Sequence, residues 1–558
     1  MYIKPSRLSF FLVLYFLICS WSTISAQNPI PEGLFRPPLD IPLSLSGTFC
    51  ELRTNHFHSG LDFRTEGRQG VPVYAAASGY VVRIKVSAGG FGKVIYINHP
   101  EGFTTVYAHL SGFNPELQAI IDSAQFANHS FETEMFPDSC RFKFSKGDFL
   151  GWSGNSGSSE APHLHFEIRD QQSEEPLNPM FAGFLIQDTI KPEIKEVNFF
   201  AYNNNYWSYE SKSDVQFSDS VSLKIFGDTV GLGFLSVDRD LNNQLGIYAA
   251  RVYADDSLIF QYSFQRMNFS ESRLVNAHIY YPAKKRFNQS VERCFVLPGD
   301  SGMIFKNAGR GWIILKDTIP VKLILEVQDF AGNTSVKYIT IQKNTSESIA
   351  IEDGMKVEFN KGILIIEDQY TVKIPPAALY MDAFLKSSIV AEVGPGLSPV
   401  LQIGNEEIPL QKPFSVTFNS LKIPAHLETK LLLAELDAKF NIKSVSNATI
   451  KGGKVEGNSR NFGLFTIIAD TTAPDLLKSI LMKDPVDSIP YYALYVKDDL
   501  SGIKTYSVEM NGQWVLAEWD PRIQLLSLPS TRNKNGPDQL RIMLGDFCGN
   551  VNILSWGF

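Results

Sequence analysis

Cysteine, histidine and positive charge are all scarce in this 558-residue sequence, and each shortage narrows what it can be. Its five cysteines, Cys19, Cys50, Cys140, Cys294 and Cys548, form no C-x-x-C pair, which argues against a thiolate metal site. The formal net charge is −8, with 51 Lys and Arg against 59 Asp and Glu, a balance that argues against nucleic acid as a partner. There is no H-E-x-x-H and no G-x-S-x-G. The glycine-rich GWSGNSG (151–157) lacks the Gly-Lys pair that would suit a phosphate and reads instead as a loop that lets backbone approach a substrate. Beyond the N-terminus no apolar run is long enough to span a bilayer.

What is present is ordinary for a globular chain of three or four domains: 44% hydrophobic and 20% charged residues. The 40 Phe and 21 Tyr lean toward β structure. Lys4 and Arg7, the apolar Leu8–Ile18 and the small residues up to Ala26 predict a signal peptide over 1–26. The mature chain is then expected to be exported, periplasmic or associated with the cell envelope. A lipoprotein reading at Cys19 is disfavoured, because Ile18 stands where a small residue is needed. Four cysteines remain after cleavage and allow three pairings; Cys50 with Cys140 is expected, since both belong to the first domain.

The chain divides into a Pro-rich leader over 27–46, a first domain over 47–186, a β-sandwich module over 187–345, a β-rich module over 346–468 and an Ig-like β-sandwich over 469–558. Within the first domain, short β-branched stretches such as VYAAASGYVVRIKVS and KVIYINH read as strands. An insertion over 113–143 breaks the pattern. There NPELQAIIDSAQFANHS predicts a helix capped by Asn114, with Pro115 at its first position. In the later modules DTIKP (188–192) is echoed by DTTAP (470–474), and DFAGN (329–333) by DFCGN (546–550), as in a sandwich unit used twice. The acids of these motifs read as turn residues rather than calcium ligands.

Seven of the nine histidines lie before residue 166. In His163-Leu164-His165 a strand would send both imidazoles to one face and Leu164 to the other. In His58-Ser59-Gly60-Leu61-Asp62, Gly60 permits a turn or bulge that lets His58 and Asp62 converge. Two imidazoles and one carboxylate suit Zn²⁺ and leave a fourth tetrahedral position for water, the mark of a catalytic site. His109, after the strand-like FTTVY, adds a ring that could orient or deprotonate that water. His56, His99 and Glu167 read as structural, and His129 as exposed.

These segments resemble the LytM/lysostaphin-type zinc metalloendopeptidases of peptidoglycan. The resemblance is carried by NHFHSGLDF (55–63), GVPVYAAASGYVV (70–82), GGFGKVIYINH (89–99), TVYAHL (105–110), KGDFLGWSGNSG (146–157) and PHLHFE (162–167). It implies a small antiparallel β-sheet metallopeptidase domain; with the several Ig-like β-sandwich modules read from the later motifs, the whole protein is expected to be mainly β. It further implies one Zn²⁺ per chain held by His58, Asp62 and His165, with His109 and His163 catalytic. The function so implied is hydrolysis of the peptide cross-links of cell-wall peptidoglycan. The partners would be its stem peptides, with no nucleic acid, no transmembrane segment in the mature chain, and envelope proteins reached through the C-terminal β modules. The alternative is a non-catalytic envelope regulator or binding protein on the same fold. The insertion over 113–143, which could wall or cover the groove, and the C-terminal two-thirds have no counterpart in the minimal family.

Overall fold

The computed structural model describes residues 29–557 apart from 140, 204, 241–242, 301, 306–308, 317–318, 345–352, 484–489 and 530–538. The signal peptide expected over 1–26 and Cys140 therefore lie outside the described residues. No helix among the described residues is long and apolar enough to cross a membrane.

The protein is mainly β, as expected, with one sheet domain followed by further β-sheet modules. The first sheet is built from β1 (Leu45–Gly47), β4 (Leu61–Arg64), β5 (Pro72–Tyr74), β6 (Gly79–Val86), β7 (Lys93–Asn98), β8 (Phe103–Phe113), β9 (Thr133–Met135), β10 (Lys143–Phe144), β11 (Phe149–Ser153), β12 (His163–Asp170) and β13 (Pro176–Leu177). A small hairpin of β2 (Leu52–Arg53) and β3 (His56–Phe57) sits beside it. The strand order β1-β4-β12-β8-β7-β6-β10 places β12 in the interior of the sheet, paired antiparallel with β4 on one side and β8 on the other.

Alternation decides which face each residue of β12 serves. Leu164, Phe166 and Ile168 are buried in the main apolar core, with Phe63 and Tyr107 from the flanking strands. His163, His165, Glu167 and Arg169 therefore share the opposite face.

The predicted helix is present as α1 (Pro115–Asn128). The Asn114 side chain accepts from the Leu117 amide at 2.9 Å, and His129 caps the C-terminus in left-handed backbone. Such an N-cap is worth about 1 kcal/mol. The insertion also adds β9 to the edge of β6.

After the first sheet come a six-stranded and a five-stranded sheet between 193 and 343, a nine-stranded sheet between 363 and 469, and two four-stranded sheets between 475 and 557. The main core does not stop at the first sheet. It continues without a break into the next module, where Phe57 meets Phe264 with ring centroids 5.9 Å apart. Both Asp-x-x-Gly-Asn motifs form turns stapled to the earlier proline-marked motif. Asn333 donates to the Asp188 carbonyl at 3.3 Å and Asn550 to the Asp470 carbonyl at 2.9 Å.

The expected Cys50–Cys140 pairing involves a residue outside the described ones. Cys50 is a free thiol, fully buried in the core, and Cys294 and Cys548 are also free.

Candidate metal centre

Asp62 on β4 pairs in register with His165 on β12, and Ala108 on β8 faces His165 from the other side. Directly opposed residues project from the same side of a sheet, so the carboxylate and the imidazole are neighbours by register alone. His58 reaches them because the chain turns at Gly60, where a Cβ would fall 2.4 Å from the Phe166 carbonyl. No other residue could lie this close to β12 without displacing it.

His109 arrives by a different device. It lies inside β8, where strict alternation after the core-facing Tyr107 would turn it away from Ala108 and His165. The register against β7 gains one residue between Tyr107 and Leu110, and His109 has φ 58°. This bulge re-aims the ring to the front, 4.8 Å from His163 and 5.8 Å from His165 between centroids.

The four rings are wired alike. His58 Nδ1 donates to the Thr48 carbonyl (2.7 Å), His109 Nδ1 to Ser156 (2.8 Å) and His163 Nδ1 to Ala161 (2.8 Å). The second nitrogen of His165, Nε2, donates to the Glu167 carboxylate at 2.9 Å. A carbonyl or carboxylate oxygen can only accept, so in each neutral ring the outer nitrogen carries the proton and the inner one presents a lone pair. Three of those inner nitrogens surround one oxygen. Asp62 Oδ1 lies 3.0 Å from His58 Nε2, 2.9 Å from His165 Nδ1 and 3.4 Å from His163 Nε2. The donor atoms of His58, Asp62 and His165 all lie within 4.8 Å of one another, and the three residues are buried.

A carboxylate and two imidazole lone pairs crowded in a buried space repel one another unless a cation stands between them, so the donor set fits a divalent metal. The electrostatics agree. Burial alone would lower His165, yet the hydrogen bonds and charges of Asp62 and Glu167 carry it up to about 9, as in a pocket that favours positive charge. Burial opposes the charge of Asp62 as well, but the neighbouring histidines hold its carboxyl well below the usual carboxylate range. His109 goes the other way. Burial, then the like-charged rings of His165 and His163, push it down to about 3, so it is neutral in ordinary conditions.

Several residues that shape the site escaped the sequence reading. Glu167, read as a plain strand residue, is fully buried and held by Ser59, Arg169 and His165. Against the opposition of burial, Arg169 leads the interactions that keep its carboxyl down at about 2. The two-residue alternation His163, His165, Glu167 is the signal that could have found it. Arg53 donates to the other oxygen of Asp62, and Phe91 stacks on His165 with centroids 5.1 Å apart. Thr48 is itself tied to Gly246 of the next module at 3.1 Å. His99 is a satisfied core histidine between the Ser78 carbonyl and Thr105, and His56 is exposed and bonded to Thr54; neither joins the site.

Residues 56–126 match the model of peptidase family M23, and residues 354–470 that of the Zu5-like domain. The DD-carboxypeptidase/endopeptidase Mpg of Neisseria meningitidis serogroup B is 33% identical over 129 residues, 23% of this chain and 23% of that protein. An uncharacterized metalloprotease of Haemophilus influenzae is 33% identical over 159 residues, 27% of this chain and 28% of that one. The chain thus spans about a quarter of the length of the curated relatives it matches. The catalytic domain of the antimicrobial peptidase lysostaphin from Staphylococcus simulans is 28% identical, covering 25% of this chain and 86% of its own, with a TM-score of 0.18.

Proposed function

Because the chain carries a domain of peptidase family M23 ahead of its β-sheet modules, we propose that it is a zinc-dependent endopeptidase that hydrolyses peptide cross-links of cell-wall peptidoglycan. In this reading His58, Asp62 and His165 hold one zinc ion, and His109 and His163 are the catalytic side chains. The observation that carries it is the common wiring of the four imidazoles, each with its outer nitrogen tied down, three of them with the inner nitrogen around one Asp62 oxygen and the fourth beside them.

Zinc, when bound, supplies Lewis acidity that polarises a scissile carbonyl and acidifies water toward a pKa of about 7. The chain's own residues do the rest. His109 is neutral with a free Nε2, so it can take a proton from the attacking water and return it to the leaving amine. His163 stands beside it and offers its Nε2 to the same proton traffic or, once protonated, to the developing oxyanion. Glu167 and Thr48 fix the tautomers of the two histidine ligands. The C-terminal modules read as Ig-like carriers of the peptidase in the cell envelope, outside the cytoplasm.

Mass analysis of fragments released from defined muropeptide dimers by the full mature chain tests this. Cleavage at a peptide cross-link is expected, together with about one zinc per chain and loss of cleavage on chelation. Intact dimers after prolonged incubation with the zinc-loaded chain would refute it. Glu167→Gln, which keeps the shape but loses the charge that holds His165, should weaken zinc affinity by about 10- to 100-fold. Competition with a chromogenic chelator reads this directly, and an unchanged affinity would remove Glu167 from the account.

A further inference from the structure

The loop between β11 and β12 holds both catalytic candidates. The Ser156 carbonyl accepts from His109, while the Ala161 carbonyl and, at 3.1 Å, the Ser159 hydroxyl meet Nδ1 of His163. Over 155–162 the loop has no regular secondary structure, so its position depends on what grips it. From inside, Gly157 lies against Gly90 and Gly92 with φ 73°, and Ser158 exchanges hydrogen bonds with Gly90 at 2.8 and 2.9 Å. From outside, the grip comes from more than three hundred residues away.

Arg522, in the turn after the strand Glu518–Asp520, donates its guanidinium to the Ser159 carbonyl. Asp520 fixes that guanidinium from behind with two hydrogen bonds, at 2.9 and 2.6 Å. Ser159 is 2% exposed, whereas Arg522 itself is exposed and reaches it from the surface. Two residues earlier in the same strand, Glu518 accepts from Lys93 Nζ at 3.0 Å. Lys93 in turn gives its backbone amide to the Ser156 hydroxyl at 2.9 Å. The last module therefore reaches both supports, Ser159 behind His163 and Ser156 behind His109. The insertion provides the seat. His129 stacks on Trp514 with centroids 5.0 Å apart and planes at 19°, and Phe126 meets the same ring edge-on at 5.4 Å. Between these anchors a cavity of about 670 Å³ separates the two bodies, with Asn155, Ser156 and Gly157 on one wall and Tyr491, Glu518 and Arg522 on the other. The loop is thus held here at discrete points rather than by a continuous packed wall.

We propose that Arg522 is a positioning residue for the hydrolytic centre: the C-terminal module, docked on the insertion, braces the Ser156–Ala161 loop and so keeps His109 and His163 aimed at the reacting atoms. This rests on the reading of those two histidines as catalytic, and it makes the module part of the machinery rather than a passive appendage. A displacement of order 1 Å in a positioned group can cost turnover about 100-fold. The Lys93–Glu518 pair is solvent-exposed on its acidic side and contributes less than the Arg522 contact.

Full-length Arg522→Ala and Arg522→Lys decide the matter, measured by zinc content, by kcat and KM on a muropeptide dimer, and by amide exchange over residues 154–162. The alanine variant should keep its zinc and a KM within about twofold, lose about 10- to 100-fold in kcat, and exchange faster in the loop. The lysine variant, still able to donate to the Ser159 carbonyl, should recover part of both losses. Unchanged loop exchange, a rise in KM alone, or a higher kcat would overturn the proposal; the last two would make the module a substrate-binding surface or a restraint. Should the wild-type chain cleave no dimer, the proposed function fails, while loop exchange in the two variants still confirms or refutes the brace.

Discussion

Asp62→Ala is expected to yield a folded chain that holds no stoichiometric zinc and whose turnover is lower by about three orders of magnitude or more, the equivalent of several kcal/mol of lost transition-state stabilisation. Asp62 is the hub of the site: a single oxygen faces three imidazoles, and the other faces Arg53. Without the carboxylate, two histidine lone pairs remain about 3 Å apart with no negative charge to offset a dication. The fold should survive, because Asp62 lies on the face of β4 opposite the core residues Leu61 and Phe63, and Arg53 is exposed enough to be solvated once unpaired. Metal analysis, turnover and circular dichroism on one preparation separate these effects. A variant that retains one zinc per chain and cleaves at the wild-type rate would remove the hydrolytic centre altogether.

His109→Ala should show the complementary pattern, with full zinc content and kcat reduced by about 10²- to 10⁴-fold, the range of a lost general base. The ring donates to Ser156, not to the ligands, so the metal has no reason to leave. A second change at the neighbouring ring, His163→Ala, should add little to the first, since groups that serve one proton transfer are not additive. The bulge allows a sharper test. His109 occupies left-handed backbone at φ 58°, which glycine adopts without strain. His109→Gly is therefore expected to be about 1 kcal/mol more stable than His109→Ala while abolishing turnover to the same extent. Loss of stability and activity together would point to a structural role for the ring instead.

Much of this centre was legible because it is written in short-range periodicity. The i, i+2 spacing of His163 and His165 fixes a shared face in any strand, and Leu164 packs behind them as that spacing demands. The Asn114-Pro115 start of α1 was legible for the same local reason. His109 was less so: as a residue following a strand it carried no hint of a bulge. A bulge is a relation between two strands, and nothing in TVYAHL states which residue of β7 lies opposite. Glu167 was visible in position but not in role, since its value lies in a hydrogen bond to a ring two residues away. The contacts of Arg522, Glu518 and Trp514 with the first domain had no local signature at all, because they join segments that only tertiary folding brings together. The place of Cys50 was illegible for a related reason. Domain membership says that two cysteines are neighbours in sequence space, whereas Cys50 is spent on filling the core.

The hydrophobic interior shared by the first sheet and the module after it makes the two inseparable. Phe57, one residue before a proposed metal ligand, leans on Phe264, and the Thr48 that orients His58 is itself moored to Gly246. Shuffling the hydrolytic sheet into another protein would tear this seam and leave aromatic rings facing water. The sheet and its immediate neighbour therefore form one packing unit, and a substitution on the neighbour's buried side would be felt at the proposed metal ligands.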